Sequence, residues 1–459
     1  MRPSWSHLML AGMLTATLVG LLVALRSGPA DATRTGRIAG HSMAPHLLGP
    51  HRLIHCPACQ FQFPIAATDR PNQRAGAPTL PSSLHCANCR TVLELAADTS
   101  TPADRSAGAD GTEGAPGSEP LRAATSNVLP GDPVVLVPHT DDPPNISRWE
   151  LVVINGPAPE PGWVVKRVLG LPGEHLTLRQ GDVWVDGRRA ARTWDQFRQT
   201  LVLVHDDVYR RPDAPPWQPT AHPSGWQTLP RGYAWQSPPT ETSPTAPATG
   251  GTIAPDDLAW TLGPITDDLP YNVEFRGRLF EVLDGALTGR VRVGEGPASW
   301  EVRWVSSNED WRVRMDGSAG QWSIRCNNRP VAQQPLTDWQ EGRFAWYVAD
   351  GRQAWYWNDR LVWEGTVSDG QTARSPWHLT GLSGSFEVDE LMVWRDLYFS
   401  SLEPWNSEQT YVLGPDRLFL VGDNVGLSWD SRYPSFLAGP KQVIARPAPT
   451  PPSAGNVSP

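Results

Sequence analysis

Ser42, in Gly40-His-Ser-Met-Ala-Pro45, and Lys166, inside Val164-Val-Lys-Arg-Val-Leu169, are the residues of this chain with the clearest capacity for chemistry. A serine hydroxyl is a weak nucleophile until a neighbouring base takes its proton. The chain has 11 histidines, yet none accompanies a Gly-x-Ser-x-Gly elbow, so a His-based triad has no motif behind it. A Ser/Lys dyad is the other solution. It needs a lysine that gives up its charge, and a dry, apolar setting disfavours the ammonium. On an alternating strand Lys166 shares a face with Val164 and Val168, which supply that setting. A third stretch, Gly422-Asp-Asn-Val-Gly-Leu-Ser-Trp-Asp-Ser-Arg432, brings Asp423, Asn424, Ser428, Asp430 and Arg432 together.

Four cysteines form a second chemical unit. Cys56-Pro-Ala-Cys59 and Cys86-Ala-Asn-Cys89 are two C-x-x-C knuckles with 26 residues between them. Four thiolates at this spacing suit a tetrahedral structural zinc and leave no open position for catalysis. Two disulfides or redox pairs are the alternatives on an oxidising side of a membrane. Cys326 stands alone in a strand-like context and reads as a buried core residue.

These groups need a scaffold, and the 459 residues allow several domains. Leu8 to Leu25 is an uncharged apolar run just long enough to cross a bilayer, which assigns residues 1–27 to a transmembrane anchor. A cleaved secretory signal ending near Ala30-Asp-Ala32 is the alternative. Beyond it the pattern is mainly β. Short strand-like runs occupy Pro133–Val137, Leu151–Ile154 and Trp163–Leu169, and Leu176 to Gly187 reads as a hairpin around Gln-Gly-Asp. Residues 188–210 suggest a short helix, and a Pro-rich connector follows to about 250. From Tyr271 to Phe399 short strands alternate with Gly, Asn and Asp turns, the signature of a β-sandwich, assigned to residues 250–402. Fifteen of the 22 tryptophans lie between 201 and 400, as core filler or as a face for glycan or protein. Residues 98–126 read as a disordered linker and 447–459 as a disordered tail. With 39 basic against 48 acidic residues and no basic tract, nucleic acid is not expected as a partner.

The three boxes, in this order behind a membrane anchor, resemble the type I signal peptidases, membrane-bound Ser/Lys endopeptidases. Ile38-Ala-Gly-His-Ser-Met-Ala-Pro45 is similar to that family's V-x-G-x-S-M-x-P. Lys166-Arg-Val-Leu-Gly-Leu-Pro-Gly-Glu174 is similar to K-R-V-x-G-x-P-G-E, and 422–432 to G-D-N-x-x-x-S-x-D-S-R. Singly, Ser42 is an ordinary loop hydroxyl and Lys166 an edge-strand charge; the joint pattern is what outweighs those readings. The resemblance implies a catalytic core built from 38–55, 128–190 and 405–447, interrupted by a four-Cys ribbon (56–95) and by the sandwich, which is loosely similar to concanavalin and laminin-G jelly rolls. It also implies roles. Ser42 attacks the scissile carbonyl and Lys166 is the base, then the acid. Ser428 orients the Lys166 amine. Asp430 and Arg432 pair to hold their loop, Asp423 and Asn424 fix the turn, Met43 packs near the site, and Pro45 shapes the serine turn. The Ser42 N–H is one oxyanion donor. Gly40 stands where some members place a hydroxyl. His41 is expected to be an exposed loop residue.

The implied substrates are signal peptides of exported precursors, gripped as an added strand, with small side chains one and three positions before the cut. Ile38, Met43 and the apolar residues of 133–137 are the candidate walls. The implied location is the cytoplasmic membrane, with the catalytic bulk on its outer face, and catalysis is expected to need no cofactor. A membrane-anchored binding protein, whose sandwich recognises glycan or protein beside an inactive core, is the rival reading.

Overall fold

The computed structural model describes residues 34–67, 82–95, 121–139, 141, 144–156, 162–221, 224–237, 256–272, 278–336, 339–402 and 408–448. The expected anchor, Leu8 to Leu25, lies outside them, as do most of the expected linker and tail. Among the described residues no helix is long and apolar enough to cross a membrane. The described residues are mainly β, in five sheets.

Alternation along Trp163–Gly170 explains the first sheet, whose order is Arg34–Arg37, Pro133–Pro138, Val443–Pro447, Leu151–Asn155, Trp163–Gly170, Phe419–Val421. Val164 and Val168 join Val152, Leu420 and Phe436 on one side, whereas Val165 packs with Val134 and Val153 on the other. Both faces are covered, so the strand reads as an apolar run interrupted by the buried basic side chains of Lys166 and Arg167. The sheet unites three segments, 34–37, 133–170 and 419–447, that lie far apart in the chain. Beside it a four-stranded sheet orders Arg188–Arg189, Asp182–Val185, His175–Arg179 and Glu408–Val412. Its central hairpin turns at Gln180 and Gly181, both at positive φ (52° and 91°), as a two-residue hairpin turn requires.

The sandwich pairs an eight-stranded and a seven-stranded sheet around one core. Trp300, Trp304, Trp322 and Trp377 from one sheet meet Trp346 and Trp355 from the other, each at most 2% exposed. These tryptophans fill the core and present no aromatic face. Cys326 is only partly buried, at the margin of this core.

Several expected boundaries move. The helix is confined to Trp194–Arg198, and Val202–Asp206 is already a strand paired with the sandwich strand Ser385–Arg395. The expected connector contributes three more strands, Trp217–Pro219, Trp226–Thr228 and Tyr233–Gln236, so the sandwich sheets begin near residue 202 rather than 250. Pro-rich spacing hid strands that are only three or four residues long and are fixed by buried Trp217, Trp226 and Tyr233. The linker also ends early. Arg122–Thr125 is a strand that pairs in parallel with Val92–Leu95 and buries Ala123 in the ribbon core. It completes a five-stranded sheet with Gln62–Ala66, His51–His55 and Ser83–His85, so His51–His55, expected in the catalytic core, belongs instead to the sheet beside the four cysteines.

Where the chain enters the sandwich, Arg192 is 3% exposed and clamps two carboxylates. Its Nε and Nη2 donate to Asp350 at 3.0 and 2.7 Å, and its Nη1 and Nη2 to Asp396 at 2.8 and 2.6 Å. Asp396 belongs to the outgoing chain, so one guanidinium ties the start of the insert to its end.

Candidate active site

The serine lies in a tight turn in which His46 and Leu47 N–H both donate to the Met43 carbonyl, at 3.1 and 3.0 Å. The Ala44–Pro45 peptide is cis. Met43 and Ala44 are buried beneath the turn, and Ser42 itself is half-buried. Lys166 comes from the middle of Trp163–Gly170 and is 3% exposed. Register brings the third element to it: Val421 pairs with Arg167 and Leu420 with Val168, so the loop after Val421 begins beside the lysine.

Ser428 closes that loop, and the Lys166 Nζ donates to its Oγ at 2.8 Å. The Phe436 ring lies 6.0 Å from the same amine. Gly422 permits the meeting of loops. A Cβ there would stand 2.3 Å from the Ser42 carbonyl oxygen and 2.4 Å from Ser428 Oγ, distances no side chain tolerates. The Ser42 main chain, the Ser428 hydroxyl and the Lys166 amine therefore converge around one glycine.

The surrounding groups hold this geometry. Asn424 N–H donates to the Ser42 carbonyl at 2.9 Å, and Asn424 Nδ2 to the His41 carbonyl at 2.9 Å. Arg432 grips Asp430 through Nε and Nη2, at 2.8 and 2.9 Å, and also reaches the Val425 and Ser428 carbonyls. Asp430 in turn accepts from Gly422 N–H at 3.2 Å. Asp423 takes a two-pronged bond from Arg167, with both contacts at 2.7 Å, and faces His46 Nδ1 at 2.8 Å. Burial acts to raise the Asp423 carboxyl, but the Arg167 charge and these bonds outweigh it and hold it well below the usual carboxylate range.

Four contributors carry no assignment from sequence. Arg167 sits in the lysine box, so its charge next to Lys166 was visible without its partner. His46 follows Pro45 and bridges Asp423 to the Leu201 carbonyl, 3.2 Å from its Nε2. Tyr271 and Asn272 arrive from the insert, where nothing local marks them. His41 is a correction: it is half-buried, not exposed, and its Nδ1 stands 2.7 Å from the Tyr271 hydroxyl. Burial lowers its imidazole from the ordinary histidine value.

The cysteines also gather. All four sulfurs lie within 4.8 Å of one another, with Cys56 to Cys89 at 3.8 Å and Cys59 to Cys86 at 3.6 Å. Disulfide sulfurs are about 2.05 Å apart, and these cysteines are free. Sulfurs about 2.3 Å from a central zinc stand about 3.8 Å apart in a tetrahedron, which these separations fit. Gln60 and Arg90 take positive φ (65° and 61°) just past each C-x-x-C pair, letting each knuckle fold back. Asn88, 1% exposed, docks the second knuckle on the sandwich through the Asp206 and Tyr209 carbonyls, at 3.1 and 2.9 Å.

Residues 118–235, which contain the lysine box but neither Ser42 nor the 422–432 loop, match the family model described as signal peptidase, peptidase S26. No curated protein matches the chain. Similar solved structures include the carbohydrate binding module CBM66 from Bacillus subtilis, at 10% identity over 38% of this chain and 93% of that one, with a TM-score of 0.27. A β-glucanase of Bacillus licheniformis is similar at 9% identity over 39% and 92%, with a TM-score of 0.25. The Caenorhabditis elegans galectin LEC-6 is similar at 6% over 31% and 91%, with a TM-score of 0.22. These likenesses are too slight to carry a ligand to this chain.

Proposed function

We propose that the chain is a membrane-anchored serine endopeptidase that removes N-terminal signal peptides from exported precursors. One observation carries the reading: the buried Lys166 amine bonds Ser428 at 2.8 Å beside the main chain of Ser42. The family match over 118–235 supports it. In this reading the Lys166 amine, in its neutral form, takes the Ser42 proton as Oγ attacks the scissile carbonyl, and the Ser42 N–H steadies the oxyanion. The ammonium then protonates the leaving amine. Water, deprotonated by the same lysine, releases the acyl group from Ser42. Ser428 aims the amine, and no cofactor takes part. The precursor lies as an added strand near Ile38, which packs with Val134 and Leu136. Leu8 to Leu25 anchors the chain with its catalytic bulk on the outer face of the cytoplasmic membrane, where the signal segment of a precursor is tethered.

Cleavage of a precursor with small residues one and three positions before the cut tests the reading. The protein should release the mature segment and Ser42→Ala should not. Equal release by both, or none by the wild type, removes it; in the latter case the rival binding role is left to explain the fold.

The cysteine cluster belongs to the proposal as a structural zinc site held by Cys56, Cys59, Cys86 and Cys89. Elemental analysis of the purified protein should give about one zinc per chain, and Cys59→Ser with Cys86→Ser should lose it. A metal-free, thiol-blocked protein would instead indicate disulfides.

A further inference from the structure

We propose that the inserted sandwich completes the catalytic centre, with Tyr271 and Asn272 as positioning residues for the turn that carries Ser42. The inference rests on Ser42 being the nucleophile. Residues 265–272 form an arm that leaves the sandwich. Its base is fixed there: Val282 N–H donates to the Ile265 carbonyl, Asp267 exchanges main-chain and side-chain bonds with Phe280, and Arg395 Nη2 donates to the Asp268 carbonyl at 2.8 Å. The arm's tip lies on the serine turn.

Two contacts there are specific. Asn272 and Asn424 pair through both amide groups, Asn272 Nδ2 to Asn424 Oδ1 at 2.7 Å and Asn424 Nδ2 to Asn272 Oδ1 at 2.8 Å. Asn424 holds the His41 carbonyl through the same Nδ2 and the Ser42 carbonyl through its main-chain N–H, so Asn272 fixes the side-chain amide that holds the peptide preceding Ser42. Tyr271, 2% exposed, bonds the His41 ring and packs with Ala44 and Leu48. Its own carbonyl accepts from Ala66 N–H of the ribbon sheet at 3.0 Å. Asn424 could find other acceptors without Asn272, but it would lose the partner that sets its plane. A nucleophile displaced by about an ångström loses roughly a hundredfold in rate.

Single-turnover cleavage with enzyme in excess gives a rate constant that an inactive fraction does not change, which separates positioning from poor folding. Asn272→Ala should lower that rate constant ten- to a hundredfold with substrate affinity nearly unchanged. Tyr271→Phe, which deletes one hydroxyl from a buried ring, should lower it about fivefold. Asn272→Ala combined with Asn424→Ala should be no slower than Asn424→Ala alone, because the two amides act in series. Equal rate constants for wild type and Asn272→Ala, with Ser42→Ala inactive, overturn the inference alone. Absence of cleavage by the wild type overturns both it and the enzymatic reading.

Discussion

Lys166→Met is expected to lower kcat for precursor cleavage by at least about 10³-fold while leaving KM nearly unchanged. Methionine keeps the volume of the side chain in a site that is 3% exposed, so the loss reports the missing amine rather than a cavity. In the proposed mechanism the amine does its work only in the transition state, when the Ser42 proton moves, and such a group contributes to kcat and not to ground-state binding. Ser42→Ala removes the partner in the same event. The double variant should therefore be no slower than either single one, the signature of two groups acting as a unit. Lys166→Arg is the sharper control. It keeps the positive charge and can still bond Ser428, but a guanidinium does not deprotonate in a protein, so it should be as inactive as Lys166→Met. Activity retained by Lys166→Arg would show that charge, not basicity, is what this position supplies.

Much of that site was legible in the chain because its parts are local. The lysine box is one strand, the serine box one turn, and the 422–432 loop holds its own Asp430–Arg432 pair two residues apart. The hairpin at Gln180-Gly181 was legible for the same reason. What escaped is non-local. His46 acquires its partners only when residues 201 and 423 arrive, and Tyr271 and Asn272 matter only because an arm of the insert returns over 200 residues later to the serine turn. No periodicity marks such a contact. The strands within the Pro-rich stretch after residue 210 escaped differently: they are too short to alternate, and their stability comes from burying one or two tryptophans in a core assembled elsewhere. Arg122–Thr125 is masked likewise, four residues of strand behind a low-complexity run.

Arg192→Met is the substitution expected to cost most in stability. The guanidinium satisfies Asp350 and Asp396 with four bonds and lies 5.1 Å from the Trp149 and Phe197 rings. Removing it strands two carboxylates in a site where both are under 10% exposed. Breaking a buried ion pair from one side costs about 3–5 kcal/mol, which for a unit of this size lowers Tm by roughly 10 °C. The neighbourhood is already short of positive charge. Burial, then the nearby Asp350, pushes Asp182 up to about 7 against the pull of Arg189, and burial with Asp182, Asp350 and Asp396 raises Asp284 well above the ordinary value. A carboxyl whose folded value is raised stabilises most below its unfolded value near 4, and that contribution is lost as pH climbs through 7. The deficit of Arg192→Met should accordingly shrink as pH falls from 8 to 5, because stranded carboxylates neutralise by taking up protons. Adding Asp350→Asn and Asp396→Asn should recover most of the lost Tm at pH 8, since neither of the groups that Arg192 had paired then carries an uncompensated charge. A deficit that is constant across this range, and unrelieved by the two asparagines, would mean that Arg192 acts by packing on Trp149 and Phe197 and not by joining the beginning of the insert to its end.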